Sequence, residues 1–385
     1  MRFIQRLTIL ETRLRRTNRR ITLEQTSLSP FQMFCVVTCF IVGTTFIMLP
    51  NATISDAKQY GWIVHLWSAF FGVLIGLVWI YISRKHPGLS LVQILGKVFG
   101  KYVGGIISVC YIVFFLQIAA WVTRNISDYM HITMMPRTPP TIFHLMALMV
   151  CSYAAVKGIR SIALVSIFIV PYIFMSFWIP YTVMLNEWDW RNFRIPGDFH
   201  VWQAIADTKY ALGFPFLETV ACMMIFPLVQ ARLKTAVLSG TAFAGIQIAL
   251  SVFFAIGILG VYRSSHLLYP EYTIFREMEF SSFIEHLESI ISINMLLVVF
   301  VKLSAIYYFA VTAICQVFSI RSRAVVAIPL IWVISAYSLL FSNITENAEW
   351  IHDYLFIYYV PFGVGFPVLL LLFTWFRKER SESAA

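Results

Sequence analysis

The chain has 385 residues, of which 59% are hydrophobic and only 12% charged. Soluble globular domains carry about 25% charged residues, so this composition excludes one and marks an integral membrane protein. The net charge of +10 follows the pattern of membrane topology rather than a nucleic-acid footprint, and no nucleic-acid partner is expected.

Residues 1–29 carry Arg2, Arg6, Arg13, Arg15, Arg16, Arg19 and Arg20 against Glu11 and Glu24. Phe3, Ile4, Leu7, Leu10 and Leu14 fall near helical spacing, which suits an amphipathic helix on the anionic inner leaflet. A disordered, topology-setting tail and an Arg-rich presequence are the open alternatives. Beyond the tail, apolar runs of about 20 residues recur. Turn and charge signals divide them into ten expected helices at 31–57, 62–83, 103–129, 140–157, 161–185, 206–230, 235–262, 284–318, 324–343 and 353–377. The first and eighth exceed one crossing and must tilt, break or protrude.

With the N-terminus cytoplasmic, 20 of the 29 Lys and Arg fall in inner segments: the tail, Arg84 to Lys101, Lys157 and Arg160, Arg232 and Lys234, Arg321 and Arg323, and Arg377 to Arg380. That bias supports ten spans in the cell membrane with both termini cytoplasmic. The implied organisation is a basic tail (1–29), a membrane domain (30–377) of two repeats (30–185 and 206–377), and a short C-terminal tail (378–385). The six cysteines, Cys35, Cys39, Cys110, Cys151, Cys222 and Cys315, all fall within expected helices. Cys35 and Cys39 share a face, but a pair without histidine or further cysteine is a poor metal site.

The first span, FQMFCVVTCFIVGTTFIMLPNA, reaches Gly43-Thr44-Thr45 midway, where glycine and two hydroxyls offer a break with local hydrogen bonding. The sixth, KYALGFPFLETVACMMIFPLVQ, is interrupted at Gly213-Phe214-Pro215, because proline removes an amide donor and clashes with the preceding turn. Each set of five contains an odd number of spans, so the halves have opposite topology. Breaks at corresponding places in inverted repeats point to a midplane ligand site, although Gly43 also suits tight helix packing. On the third span, Tyr111 and Gln117 are candidates to line this cavity, against the alternative of helix–helix hydrogen bonds. Arg124 and Asp128 at i, i+4 predict an ion pair on the outer rim. The Trp-rich segment 186–207 suits an interfacial anchor. On the eighth span, Glu288, Ser292, Met295, Val299 and Lys302 form one stripe expected to face inward, with Glu285 and His286 outside the bilayer. Glu218 and Lys302 are intramembrane charges that should not face lipid: coupling between them, directly or through one polar group, is expected, against the alternative of two separately solvated charges lining a water-filled cavity. Glu288 is about 21 Å along the helix from Lys302, too far to compete.

Ser29-Pro30-Phe31-Gln32, Gly43-Thr44, GFPFLE at 213–218 with MIFP at 224–227, LESI at 287–290 and VKLS at 301–304 together resemble the B subunits of bacterial spore nutrient-germination receptors, from about Leu28 to Arg377. The resemblance implies an all-α integral membrane fold similar to amino acid/polyamine/organocation transporters, with a five-plus-five inverted repeat and broken helices 1 and 6. It also implies a spore inner-membrane sensor working with an A-type membrane subunit and a C-type lipoprotein. The ligand is then a small nutrient, an amino acid by preference, held by Gly43, Thr44, Thr45, Tyr111, Gln117, Gly213, Phe214, Pro215 and Ser292. A proton-coupled amino acid permease using the same pocket is the alternative. No nucleophile elbow, phosphate loop or metal-ligand cluster supports an enzyme, and no cofactor is expected.

Overall fold

The computed structural model describes residues 27–194, 201–277, 288–341 and 343–382, with the side chains of 201, 203, 207, 288 and 376–382 excepted. Residues 1–26 of the basic tail, Glu285, His286 and the Glu288 side chain lie outside this description. Among the described residues every regular element is a helix. Seven helices are long and apolar enough to cross a membrane by length and composition, and Pro30–Val42, Leu212–Met224 and Arg323–Ser338 are shorter apolar ones. Large apolar side chains such as Phe70 and Phe168 face outward, as a lipid solvent requires.

The chain enters at α1 (Pro30–Val42), whose start is fixed by a reciprocal cap: the Gln32 amide donates to Ser29 Oγ at 3.1 Å and the Ser29 amide to Gln32 Oε1 at 2.8 Å. Gly43 and Thr44 interrupt the helix and α2 (Thr45–Ala57) resumes it, so the break is shorter than expected and Thr45 is helical. α3 (Gly61–Lys85) follows. α4 (Leu91–Thr133) begins twelve residues earlier than the sequence indicates and kinks at Gly100, whose φ of 83° and ψ of 175° suit glycine. Ser90 caps it, with its amide donating to Gln93 Oε1, and the buried Leu91, Val92, Ile94, Leu95 and Val98 explain why this stretch is a helix rather than an inner loop. α5 (Pro140–Lys157) and α6 (Ile159–Val183) complete the first half.

The second half opens with α7 (Val201–Asp207) and an irregular stretch, Leu212–Leu228, made of a π-type turn over Leu212–Phe216 and two 3-10 helices. Phe214 is extended at φ −114° and ψ 114°, and its bond to Pro215 is cis. α8 (Leu233–Leu259) leads to two short helices, α9 (Val261–His266) and α10 (Pro270–Glu277), and then to α11 (Glu288–Val317). Every residue from Val301 to Ala313 is buried, which makes α11 the axis of the bundle. α12 (Arg323–Ser338), α13 (Ile344–Asp353), α14 (Leu355–Val360) and α15 (Phe366–Glu382) finish the chain. Between α14 and α15 a second π-type turn, Pro361–Gly365, breaks what the sequence suggests is one helix. Its freed carbonyls are met by side chains: Tyr111 Oη donates to Phe362 O at 2.7 Å and Trp79 Nε1 to Gly363 O at 2.8 Å.

α1, α3 and α8 approach closely because small residues face each other. A Cβ on Gly245 would overlap the Cβ of Ala69, and one on Gly240 would lie 3.0 Å from the Phe34 carbonyl oxygen. Gly96, by contrast, has nothing within 4 Å of its Cβ direction. Gly245→Val should therefore reduce the yield of folded protein sharply. Gly96→Ala should raise the thermal midpoint in detergent by the equivalent of about 0.5–1 kcal/mol; equal effects of the two would show that the α3–α8 approach does not limit stability.

Candidate functional site

The two broken helices are joined at three levels. At one end the Leu28 amide donates to Leu228 O at 2.8 Å. At the other, Tyr210 Oη donates to Asp56 Oδ2 at 2.8 Å. Between them, α11 inserts Lys302: its ammonium donates to Glu218 Oε1 and lies 4.6 Å from the Phe214 ring centroid and 5.4 Å from that of Phe40. Both charged side chains are essentially inaccessible. A Cβ on Gly43 would overlap Lys302 Cδ, so glycine at the first break is what lets the lysine pass between the helices.

A charge at the centre of a membrane helix costs about 3 kcal/mol on insertion scales. The pairing and the two aromatic faces offset that cost. Cys222 and Met295 are buried nearby in the same core. The inward stripe of α11 is seen directly, with Ser292, Met295, Val299 and Lys302 all buried.

On the other side of Glu218 lies a small cavity of about 10 Å³, lined by Thr44, Ile118, Trp121, Val122, Asn125, Phe214, Glu218, Ile351, Leu355 and Tyr359. It has room for about one water molecule. Thr44 Oγ1 is buried and has no hydrogen-bond partner among the described residues. The first turn of α2 leaves backbone N–H groups without intrahelical acceptors beside it. The cavity thus combines a carboxylate and an unengaged hydroxyl at the start of α2 with apolar walls from α4, α13 and α14.

Of the residues expected from sequence, Thr44, Phe214 and Glu218 line this cavity, while Gly43, Gly213 and Pro215 are buried in the breaks and Thr45 in the first turn of α2. Gly213 packs against Leu355 and Phe356. Tyr111 and Gln117 are buried but are not among its lining. Tyr111 lies on the same face as Ile118 but two turns away, about 10 Å along the helix, where its hydroxyl holds the π-type turn. Ser292 bonds Tyr129 Oη at 2.8 Å, a contact between α4 and α11. Arg124 pairs with Asp128 at 2.9 Å but is buried rather than on a rim, since Arg124 Nη1 also donates to Phe341 O at 2.7 Å. The third-helix contribution that composition did not reveal is Ile118, Trp121, Val122 and Asn125, whose i, i+3, i+4, i+7 spacing marks one face without any charge to draw attention to it.

α13 caps this cavity. Asn347 Nδ2 donates to Asn125 Oδ1 at 3.0 Å, Trp350 packs on Trp121 with ring centroids 4.2 Å apart, and His352 Nε2 lies 3.3 Å from Asp56 Oδ2. The Asp353 carboxylate, 2.8 Å from His352 Nδ1, and then the Asp56 charge raise the imidazole pKa above its ordinary value. Glu271 of α10 is a second titratable group at this level: burial lifts its carboxyl to about 8, although Ser251 donates to it at 3.0 Å.

A family model described as spore germination protein matches residues 27–347. Similar curated proteins, all from Bacillus subtilis (strain 168), are spore germination protein KB, 23% identical over 374 residues covering 94% of this chain and 98% of the relative, spore germination protein B2, 20% identical and covering 90% and 93%, and spore germination protein A2, 22% identical and covering 89% and 96%. Among solved structures, a substrate-bound Na+-coupled sialic acid symporter shares the fold with a TM-score of 0.61 at 12% identity, over 88% of this chain and 79% of the other. MhsT in complex with L-phenylalanine does so with a TM-score of 0.58 at 13% identity, over 92% and 99%.

Two predictions follow from the buried pair and the cap. Glu218→Gln and Lys302→Met should each cost about 3–5 kcal/mol, because each strands the other charge. The double variant should cost less than the sum, whereas strict additivity in folded yield and thermal midpoint would mean that the two act independently. For His352 the folded pKa is raised, so its contribution is complete below the ordinary value near 6.5 and is lost as pH rises through the shifted one. The thermal midpoint should accordingly fall over that window, and His352→Gln should flatten that part of the profile; an unchanged profile in the variant would remove His352 from the cap.

Proposed function

Because the chain belongs to the spore germination protein family, we propose that it is the membrane-embedded nutrient-sensing subunit of a spore germinant receptor and that its ligand is a small amino acid bound in the Thr44–Glu218 cavity. One observation carries the assignment: both helix breaks, an unpartnered buried hydroxyl and a carboxylate meet on one small cavity. The amino acid's carboxylate is placed against the first-turn amides of α2 and Thr44 Oγ1, where the helix dipole favours an anion. Its ammonium faces Glu218, and its side chain the wall of Ile118, Trp121, Val122 and Leu355. That wall favours an apolar side chain. A solved structure of the same fold holding L-phenylalanine is consistent with this choice.

The cavity as it stands is too small for an amino acid, so binding requires α13 or the outer half-helices to withdraw. Differential affinity between the closed and withdrawn arrangements is then the signal. It passes to an A-type membrane subunit and a C-type lipoprotein in the spore inner membrane, with both chain termini cytoplasmic. Residues 30–185 and 206–377 act as the two repeats around the site.

The second reading, a proton-coupled amino acid permease, is favoured by the position of Glu218 on the cavity wall, since intramembrane carboxylates serve as proton sites. Against it stands Lys302, a fixed cation that already neutralises Glu218. Such internal balance suits a site that binds without taking up a proton.

The test is binding of an amino-acid panel to the purified chain in lipid nanodiscs. Small apolar amino acids should raise its thermal midpoint saturably, and Val122→Ile, whose added methyl takes up the water-sized space, should weaken binding several-fold while leaving folded yield intact. Unchanged binding in Val122→Ile would place the ligand elsewhere. Proton-driven accumulation of the same amino acid in proteoliposomes would favour the permease.

A further inference from the structure

The Gly43 break has a second side. Behind it, away from Glu218, a larger cavity of about 50 Å³ lies between α1, α6, α8 and α11. Gly43 forms part of its wall, as Thr44 forms part of the other. No acidic or basic side chain is among its lining. Its polar equipment is concentrated: Asn294 is 3% exposed and neither its Nδ2 nor its Oδ1 has a hydrogen-bond partner among the described residues, and the same is true of the buried Thr38 hydroxyl.

A carboxamide at membrane depth with neither atom engaged is expensive in an apolar interior, and polar groups so placed tend to mark function. Water alone is a poor partner here. At about 10–15 Å³ each the cavity would hold several molecules, and each needs two to four polar contacts that these walls do not supply. Apart from Thr38, Asn294 and a half-buried Gln247, the surroundings are apolar and rich in phenylalanine. Phe174 of α6 is 42% exposed on the outer surface while also lining the cavity, and Phe243 of α8 is half-buried beside it. The cavity therefore communicates with the lipid side of the bundle, between α6 and α8.

We propose that this cavity is a second ligand site, which takes from the bilayer a short, uncharged amphiphile whose head both donates and accepts hydrogen bonds, a primary amide or an alcohol. The head pairs with Asn294 and Thr38, the first carbons pack on Phe177 and Met295, and the chain leaves between Phe174 and Phe243. Charged heads are excluded because no counter-charge lines the walls. Occupation props α1 and α6 apart at Gly43 and so restrains the same break from which Thr44 reaches the nutrient cavity. Only this restraint on nutrient sensing rests on the function proposed above; binding itself does not.

The test uses the full chain in phosphatidylcholine nanodiscs and radiolabelled hexanamide, with no nutrient present. The expected result is one saturable site per chain above the linear uptake of protein-free discs, with slower amide hydrogen exchange at residues 43–48. Asn294→Leu removes the unengaged carboxamide, so it should raise the thermal midpoint while lowering hexanamide affinity at least tenfold. Thr38→Val, which removes only an unpartnered hydroxyl, should weaken binding several-fold and serves if Asn294→Leu does not fold. Uptake that stays linear with lipid, or saturable binding unaltered in both variants, overturns the proposal. Loss of amino-acid binding in Val122→Ile with hexanamide binding intact would separate the two sites, and failure of the nutrient reading alone would leave the hexanamide result unchanged.

Discussion

The ion pair between Lys302 and Glu218 is the constraint on which the rest of the bundle depends. Both side chains are buried in the bundle, so each partner is tolerated only while the other is in place. The pair draws α11 against the gap between the two broken helices and obliges the first to carry glycine at position 43, where any side chain would displace the lysine. Phe214 and Phe40 close over the ammonium, and their position requires the sixth span to be extended at Phe214 rather than helical. One electrostatic contact thus fixes a glycine, a break and two rings.

This arrangement also separates two environments along a single stretch of α1 and α2. Thr44 faces a cavity whose walls offer a carboxylate and a hydroxyl, while Gly43 backs onto one whose walls offer a carboxamide amid phenylalanines. A fold shared with a Na+-coupled sialic acid symporter has here a lysine fixed at its centre. The consequence is a bundle core whose buried charges balance each other.

Much of this was legible in the sequence, for physical reasons that differ from residue to residue. The breaks at Gly43 and Gly213 to Pro215 are written in residues with local backbone effects, and the Glu218–Lys302 pair in charges that an apolar helix cannot expose. The apolar character of the helices was legible because lipid forces the apolar length, and among the described residues seven are long enough to cross a membrane. The early start of α4 was missed because Lys97 and Lys101 made Leu91 to Phe99 look like an inner loop, although Ser90 and Gln93 held the cap signature. The turn at Pro361–Gly365 was overlooked although proline and two glycines announce it. Tyr111 and Gln117 drew attention by polarity, whereas the face that lines the cavity, Ile118 to Asn125, is mostly apolar. Pairings such as Asn347 with Asn125 and His352 with Asp56 join residues more than 200 positions apart and have no local signature.

The backbone hydrogen bond from Leu28 to Leu228 has a mechanical meaning. The two broken helices are tied at that end by main-chain atoms, which no side-chain rotation can release, and at the far end, among the described residues, by side chains of Tyr210, Asp56 and His352. Separation of the far halves is therefore less restrained than separation of the near halves, and any angular difference would be taken up at Gly43–Thr44 and Phe214. The pair of helices behaves as tongs riveted at one end, with Lys302 as the stop that sets how far the jaws can close.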